Sequence, residues 1–344
     1  MKKENDPNDR LVGIMSRRSF VRRLTTAAGL AGAASYLAFA PEEYPLSLRD
    51  FSGRRSKPQT VPWTLPNFGV APPKGKVEIG IGRAKTVRQR LIKSLDAVGG
   101  IEHYIKPGDI VLVKPNVAFD RSPELGATTN PEILAALLDL LIVDCRVQEV
   151  RVADNPIESP ADCFVKSGIE RVVAKAGGRI SLPDSNSFRD LYTPGASLIE
   201  TWPFFFRPFS GVDKVIGLAP VKDHNLCSAS MSIKNWYGLL GGRRNQFHQD
   251  IHGIISDLSI LIRPTLSILD GSRILMRNGP TGGDPAYVKR WDVAIAGTDQ
   301  VAMDTWAFVH LLEREESRLP QYLFLAEKKG GGKMDAEGRI REIA

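Results

Sequence analysis

The stretch "GDIVLVKPN", Gly108–Asn116, decides how this chain folds. Four apolar residues run unbroken from Ile110 to Val113 and stop at Lys114, Pro115 and Asn116. A half-exposed strand would alternate apolar and polar residues. A short continuous run bounded by turn residues instead marks a strand covered on both faces, as in the middle of a parallel sheet. The abrupt change at Lys114 then places a cation and an amide at the carboxyl end of a central strand.

The same unit recurs on both sides of it. "VEIGIG" alternates as a strand and leads into "TVRQRLIKSLDAV", with Val87, Leu91, Ile92 and Leu95 at helical spacing. "TTNPEILAALLDLLIV" begins a helix with Asn130 as cap and Pro131 at its first position. "VQEVRVADNP" is a second strand ending in a polar loop. "SPADCFVKSGIERVVAKAGG" reads as one further proline-started helix closed by glycine, and "RISLPD" as a further strand. After an aromatic interruption, "TWPFFFRPF", which fits an insertion, a lid or an edge strand, come "DKVIGLAPVK", "TLSILDG" and "WDVAIAG" as strands. "DIHGIISDLSILI" and "TDQVAMDTWAFVHLLE" are helices, the second capped by Thr298. Alternating strands and helices of these lengths predict an α/β fold: a mostly parallel sheet with helices on both faces, in three layers.

The expected organisation is residues 1–40 as a signal segment, 41–76 as a proline-rich linker or arm, 77–328 as the α/β domain, with a subdomain split conceivable near 188–211, and 329–344 as a polar tail. "SRRSFVRRL", Ser16–Leu24, followed by a weakly apolar run to Ala40, resembles a bacterial twin-arginine signal. That implies recognition by the twin-arginine translocation machinery and export to the periplasm or cell envelope, with a membrane tether if the segment is not cleaved. Pro41 directly after Ala40 is a poor residue to follow a cleavage point. Residues 1–40 hold seven Lys/Arg and three Asp/Glu, so without them the formal charge falls from +7 to +3. No basic stripe is then left to argue for a nucleic-acid partner, and no transmembrane domain is expected beyond the signal segment. Cys145, Cys163 and Cys227 are far apart, which excludes a local zinc ribbon or ferredoxin-type cluster. No intrinsic iron–sulfur cluster is expected, and no other cofactor is indicated.

In open α/β sheets the ligand sits beyond the carboxyl ends of the strands. Lys114, Asn116, Asp154, Asn155, Lys222, His224 and Asp270 follow strands or end them. The segment "PVKDHNLCSASMSIKNWYGLLGG", Pro220–Gly242, adds Lys234 and Asn235 among apolar residues. If Lys114 reaches the same crevice, three lysines and two histidines converge there, a setting for a carboxylate or phosphate with a histidine to move a proton. The competing reading is structural: Lys222 or Lys234 paired with Asp270 or Asp304. "HQDIH" puts His248 and His252 at i and i+4. Gln249 stands where a zinc protease needs a glutamate base, so that chemistry is excluded, but a metal held by His248, His252, Asp270 and Asp304 is a candidate. "GRRNQF" and "GPTGGD" match neither phosphate-loop pattern.

The ordered set "IVLVKPNVAF", "TTNPEI", "PVKDHNLCSASMSIKNWYGLL", His248, "RPTLSILDG", "GP" and "AGTDQVAMDTWA" resembles the domain-of-unknown-function family 362 over about Val77–Glu313. By motif the resemblance implies Lys114, Asn116, Thr128, Thr129, Lys222, His224, Lys234, Asn235, Gly238, His248, Asp270, Gly279, Pro280 and Asp304 as positions of interest. It supplies no reaction. It implies that some members carry a ferredoxin module, for which this chain lacks the cysteines. The residues thus point to His224, His248 and Lys234 as catalytic groups and to Lys114, Asn116, Thr128, Thr129, Lys222, Asn235 and Gly279 as ligand-binding groups. An enzyme or a binder of an anionic small molecule both fit. So does a non-catalytic metal- or cofactor-associated accessory protein of a cell-envelope redox system, and so does a partner surface at Trp202–Phe209.

Overall fold

The computed structural model describes residues 63–344, with Thr25, Thr26 and Gly29 besides; apart from those three, the twin-arginine segment and the arm up to residue 62 lie outside the described residues. The strands are β1 (Ile79–Arg83), β2 (Ile110–Lys114), β3 (Glu149–Ala153), β4 (Arg179–Ser181), β5 (Phe188–Tyr192), β6 (Thr201–Phe205), β7 (Lys214–His224), β8 (Ser228–Ser230), β9 (Leu266–Leu275), β10 (Val288–Lys289), β11 (Val293–Gly297) and β12 (Ile340–Ile343). The helices are α1 (Val87–Val98), α2 (Ile101–Tyr104), α3 (Pro131–Asp139), α4 (Pro160–Lys166), α5 (Ile169–Ala176), α6 (Ser232–Asn235), α7 (Ile251–Leu261), α8 (Gln300–His310) and α9 (Gln321–Lys328).

The main sheet runs β12-β1-β11-β9-β7-β2-β3-β4. All these strands point one way except β11, which is antiparallel to both its neighbours. β2 lies in the interior, as its unbroken apolar run requires. Val111 and Val113 pack with α1 and α3–α5 on one face, while Leu112 joins α7 and α9 on the other. A third apolar cluster packs α8 against β1, β9 and β11. The three-layer arrangement follows from this alternation, since consecutive residues of a buried strand serve opposite helical layers.

The local signals hold at most helix starts. Thr86 caps α1 by accepting from the Gln89 N–H, and Asn130 caps α3 by accepting from the Glu132 N–H at 3.1 Å. Other expectations are revised. The helix expected over 159–178 is two, because Gly168 adopts φ 74° and the chain bends between α4 and α5. The cap of α8 is Asp299, not Thr298; its carboxylate accepts from the N–H groups of Val301 and Ala302. The polar segment 329–344 is not simply a solvated tail: Arg339 pairs with Glu78 and Asp299, and β12 then extends the sheet beside β1.

The aromatic interruption forms a β5–β6 hairpin whose Trp202, Phe204, Phe205 and Phe209 are buried against α7. A partner surface made of these rings is therefore overturned. From Trp63 the arm lies on this unit: Trp63 bridges Leu191, and Phe68 is buried with its carbonyl accepting from Thr265 Oγ1 at 2.9 Å.

Candidate functional site

Strand order fixes where a site can form. From β2 the chain moves outward through β3 to β4, then returns to place β7 on β2's other side and continues outward to β9 and β11. The connections leaving β2 and β7 thus diverge, opening a crevice at the carboxyl ends of the two strands. Lys114 ends β2, Asp154 follows β3 directly, and β7 runs past them to Lys222 and His224. A register shift between Pro220 and Lys222, where β7 leaves its regular pairing with β9, re-aims the end of that strand, as bulges do.

A single cavity of about 160 Å3 occupies the crevice. Lys114, Asn116, Lys222, His224, Lys234, Asn235 and His248, separated by up to 134 positions in sequence, all line it. Arg244 joins them, and Asp154 is the sole carboxylate among the described residues of the lining. Four cationic side chains therefore face one anion.

That anion is already engaged. Asp154 Oδ1 lies 2.8 Å from Lys114 Nζ and accepts from the Asn155 N–H at 3.0 Å, while Oδ2 accepts from the Val117 N–H at 2.7 Å. Lys114 also donates to Asn235 Oδ1 at 2.8 Å, and the Asn235 amide donates back to the Lys114 carbonyl. Lys222 donates to Asn116 Oδ1 at 3.0 Å and to the Ala127 carbonyl at 2.6 Å, with the Phe119 ring 5.2 Å away. The Arg244 guanidinium holds the carbonyls of Leu240, Asn155 and Pro156 and meets no carboxylate. Lys234 differs from all of these. Its ammonium lies 5.1 Å from the Tyr237 ring centroid and donates no hydrogen bond to any described residue.

Burial and like charge both act on these groups. Burial, then Lys234 and Lys114, bring Lys222 down to about 7. Burial lowers Lys114 against the pull of Asp154, and it lowers Lys234 as well. His224 falls to about 2 through burial and the neighbouring Lys234 and Lys222, so its imidazole is neutral. His224 Nδ1 accepts from the Leu226 N–H at 3.2 Å, which puts the ring proton on Nε2. His224 is thus a hydrogen-bond donor to the cavity and not an imidazolium acid. His248 is the reverse case: Nδ1 faces the Asn245 carbonyl at 3.0 Å and must carry a proton, so Nε2 is the nitrogen left for the cavity.

The remaining expected residues play other parts. Thr129 Oγ1 accepts from the Asn116 N–H and donates to the Leu218 carbonyl, both at 2.8 Å, so it locks the loop that carries Asn116. Thr128 is buried with its hydroxyl unpaired. Gly279 donates its N–H to Asp223 Oδ2, and the next residue, Pro280, lines the cavity. Asp304 accepts from the N–H groups of Ser232 and Ile233 and from the Ser232 hydroxyl, fixing the turn that carries Lys234. Asp270 is buried within β9 and accepts from the Ser272 N–H.

The expected alternative pairing of Lys222 or Lys234 with Asp270 or Asp304 does not occur. The proposed metal set does not assemble either. His248 lies in the 3-10 turn before α7 and His252 in α7 itself, so the two do not share a helix face. Among the described residues no three His, Cys, Asp or Glu side chains group as a metal site.

Asp154 and Asn155 are marked in the sequence by following a strand, whereas Arg244 and Tyr237, which also line the cavity, carry no such mark. Arg244 sits in "GRRNQF", which matches no phosphate-loop pattern. The signal that could have found it is a second arginine beside a conspicuous His-containing turn.

Fold and site together define an α/β protein with a buried cationic crevice at a topological switch point. The chain belongs to the family described as Domain of unknown function (DUF362), whose model matches residues 111–308 and so encloses every candidate residue from Lys114 to Asp304. It is 28% identical over 247 residues to the Thylakoid-associated protein sll1697 of Synechocystis sp., across 66% of this chain and 70% of that protein. Its structure is similar to that of the lactate racemase apoprotein from Thermoanaerobacterium thermosaccharolyticum, with a TM-score of 0.37 and 12% identity over 69% of this chain. The match covers 56% of that protein's length. Among the described residues no helix is long and apolar enough to cross a membrane.

Proposed function

We propose that the crevice binds a small anionic molecule, with Lys222, Lys234 and His224 as its donors and His248 as the group that moves a proton on it. The observation that carries this reading is the charge imbalance. Four cations line the cavity, and its one carboxylate is saturated by Lys114 and two backbone N–H groups. Burying cations without counter-charge is costly, and chains relieve that cost by pairing or by deprotonation. A bound carboxylate or phosphate supplies the missing charge. The cavity is small beside the roughly 300–1,000 Å3 of pockets that enclose drug-sized ligands, which favours a small organic or inorganic anion over a nucleotide.

The motif at Ser16–Leu24 supports the further proposal that the protein meets this ligand after twin-arginine export, in the periplasm or cell envelope. Thermal unfolding with increasing inorganic phosphate, oxalate or malonate tests the binding reading. A saturable rise in melting temperature that is lost in Lys222→Met is expected. An equal rise in that variant would remove the assignment.

A further inference from the structure

The three cavity lysines are not equivalent, and the difference has a chemical consequence. Lys114 is held by Asp154 and Asn235, and Lys222 by Asn116 and the Ala127 carbonyl. Lys234 has an aromatic face beside it and no acceptor among the described residues. An amine so placed is not needed to satisfy any neighbour, and nothing must be broken for it to react.

We infer that Lys234 is a nucleophilic amine that forms an imine with a small 2-oxo acid, a molecule whose carboxylate the other cations hold and whose carbonyl carbon Lys234 attacks. The inference rests on the anion-binding reading of the same crevice and names its substrate class. Three features of the site fit the step. Lys222, Arg244 and Lys114 line the same cavity, so a carboxylate can lie against Lys222 among like-charged neighbours while Lys234 faces the carbonyl carbon. The His224 Nε2–H is available to a carbonyl oxygen. The free His248 Nε2 can take a proton and return it.

The reaction balances without an oxidant or reductant. The neutral Lys234 Nζ lone pair adds to the carbonyl carbon, the carbonyl π pair moves to oxygen, and one proton passes from the nitrogen to that oxygen to give a neutral carbinolamine. Loss of the hydroxyl as water, with one further proton, leaves a protonated C=N bond to Nζ. Overall, amine, ketone and one proton give iminium and one water. Desolvation, with the nearby Arg244 acting in the same sense, lowers Lys234, the direction in which lysines beside another cation or in apolar pockets become nucleophilic. The iminium then draws electrons from the adjacent carbon, so the chemistry it serves is cleavage of a C–H or C–C bond next to the original carbonyl.

The test incubates the full chain with pyruvate, glyoxylate or 2-oxoglutarate, adds sodium borohydride, and maps adducts by mass spectrometry of peptides. Thermal shift with the same three acids and with inorganic phosphate is run in parallel. The expected result is one reduced adduct per chain on the peptide containing Lys234, with at least a tenfold excess over any other lysine, and none in Lys234→Arg. An adduct favouring Lys222 or Lys114 overturns the assignment of the nucleophile. Saturable thermal stabilisation by these acids with no adduct overturns the imine and leaves the anion-binding reading in place. No stabilisation by the acids or by phosphate, with no adduct, overturns both.

Discussion

Lys222→Met separates a residue kept for binding from one kept for folding. Lys222 is almost wholly buried, and its ammonium is brought from 10.5 to about 7. An unfolded lysine at pH 7 is fully protonated, so the folded state forgoes about 4 kcal/mol of protonation free energy there. Methionine of similar length removes that penalty. It also leaves Asn116 Oδ1 and the Ala127 carbonyl without their donor, at about 1–3 kcal/mol each. The two effects nearly cancel, so stability at pH 7 should change by no more than about 2 kcal/mol, a few degrees in melting temperature. Anion stabilisation should vanish all the same.

The pH dependence adds a sign. A folded pKa below the unfolded one means the penalty is complete below about 7 and fades as pH rises to 10.5. The variant should therefore look best relative to wild type below pH 7 and lose that advantage toward pH 10.5. Urea denaturation across pH 6–10 measures both quantities. A loss of more than about 4 kcal/mol at pH 7 would refute the reasoning, because Lys222 would then be holding the fold.

Asp154→Asn should behave oppositely, costing about 3–5 kcal/mol because it strands the buried Lys114 charge; denaturant unfolding reads this directly. Gly238→Ala should cost a similar amount, since a Cβ there would run into the Asp154 carboxylate and come within 2.9 Å of Lys114 Nζ; the melting temperature is the measure. Burial raises Asp304 to about 7, so its contribution is complete below 3.8 and lost as pH rises through 7. The stability of wild type relative to Asp304→Asn should accordingly decline between pH 4 and 7. His248→Asn should leave anion binding within about threefold while slowing any proton-dependent step on the ligand, a split visible in comparing binding with turnover.

Much of the layering was legible because burial writes itself into strand sequence. The unbroken "IVLV" of β2 could only be interior, and Asn130-Pro131 could only start a helix. What was not legible came from long-range pairing. Nothing local shows that Ile340–Ile343 returns to β1, since a four-residue edge strand with charged residues looks like a tail. The site was legible as far as strand ends carry it: Lys114, Lys222 and His224 were placed by the carboxyl-edge rule and do line one cavity. Which carboxylate pairs with which lysine was not. Asp154 neighbours Lys114 because β2 and β3 are parallel and in register at Val113 and Val152. Asp304 is spent on backbone N–H groups, a use that its sequence position could not reveal.

The central claim is that the crevice lacks an anion which a small molecule supplies. Isothermal titration of the full chain with oxalate and with inorganic phosphate, in two buffers of different ionisation enthalpy, tests it most directly. Because burial holds Lys222 down at about 7 in the free protein, binding should be saturable at one site and take up protons. Both signals should be absent in Lys222→Met. Saturable binding that persists unchanged in that variant, or no binding at all, would contradict the account.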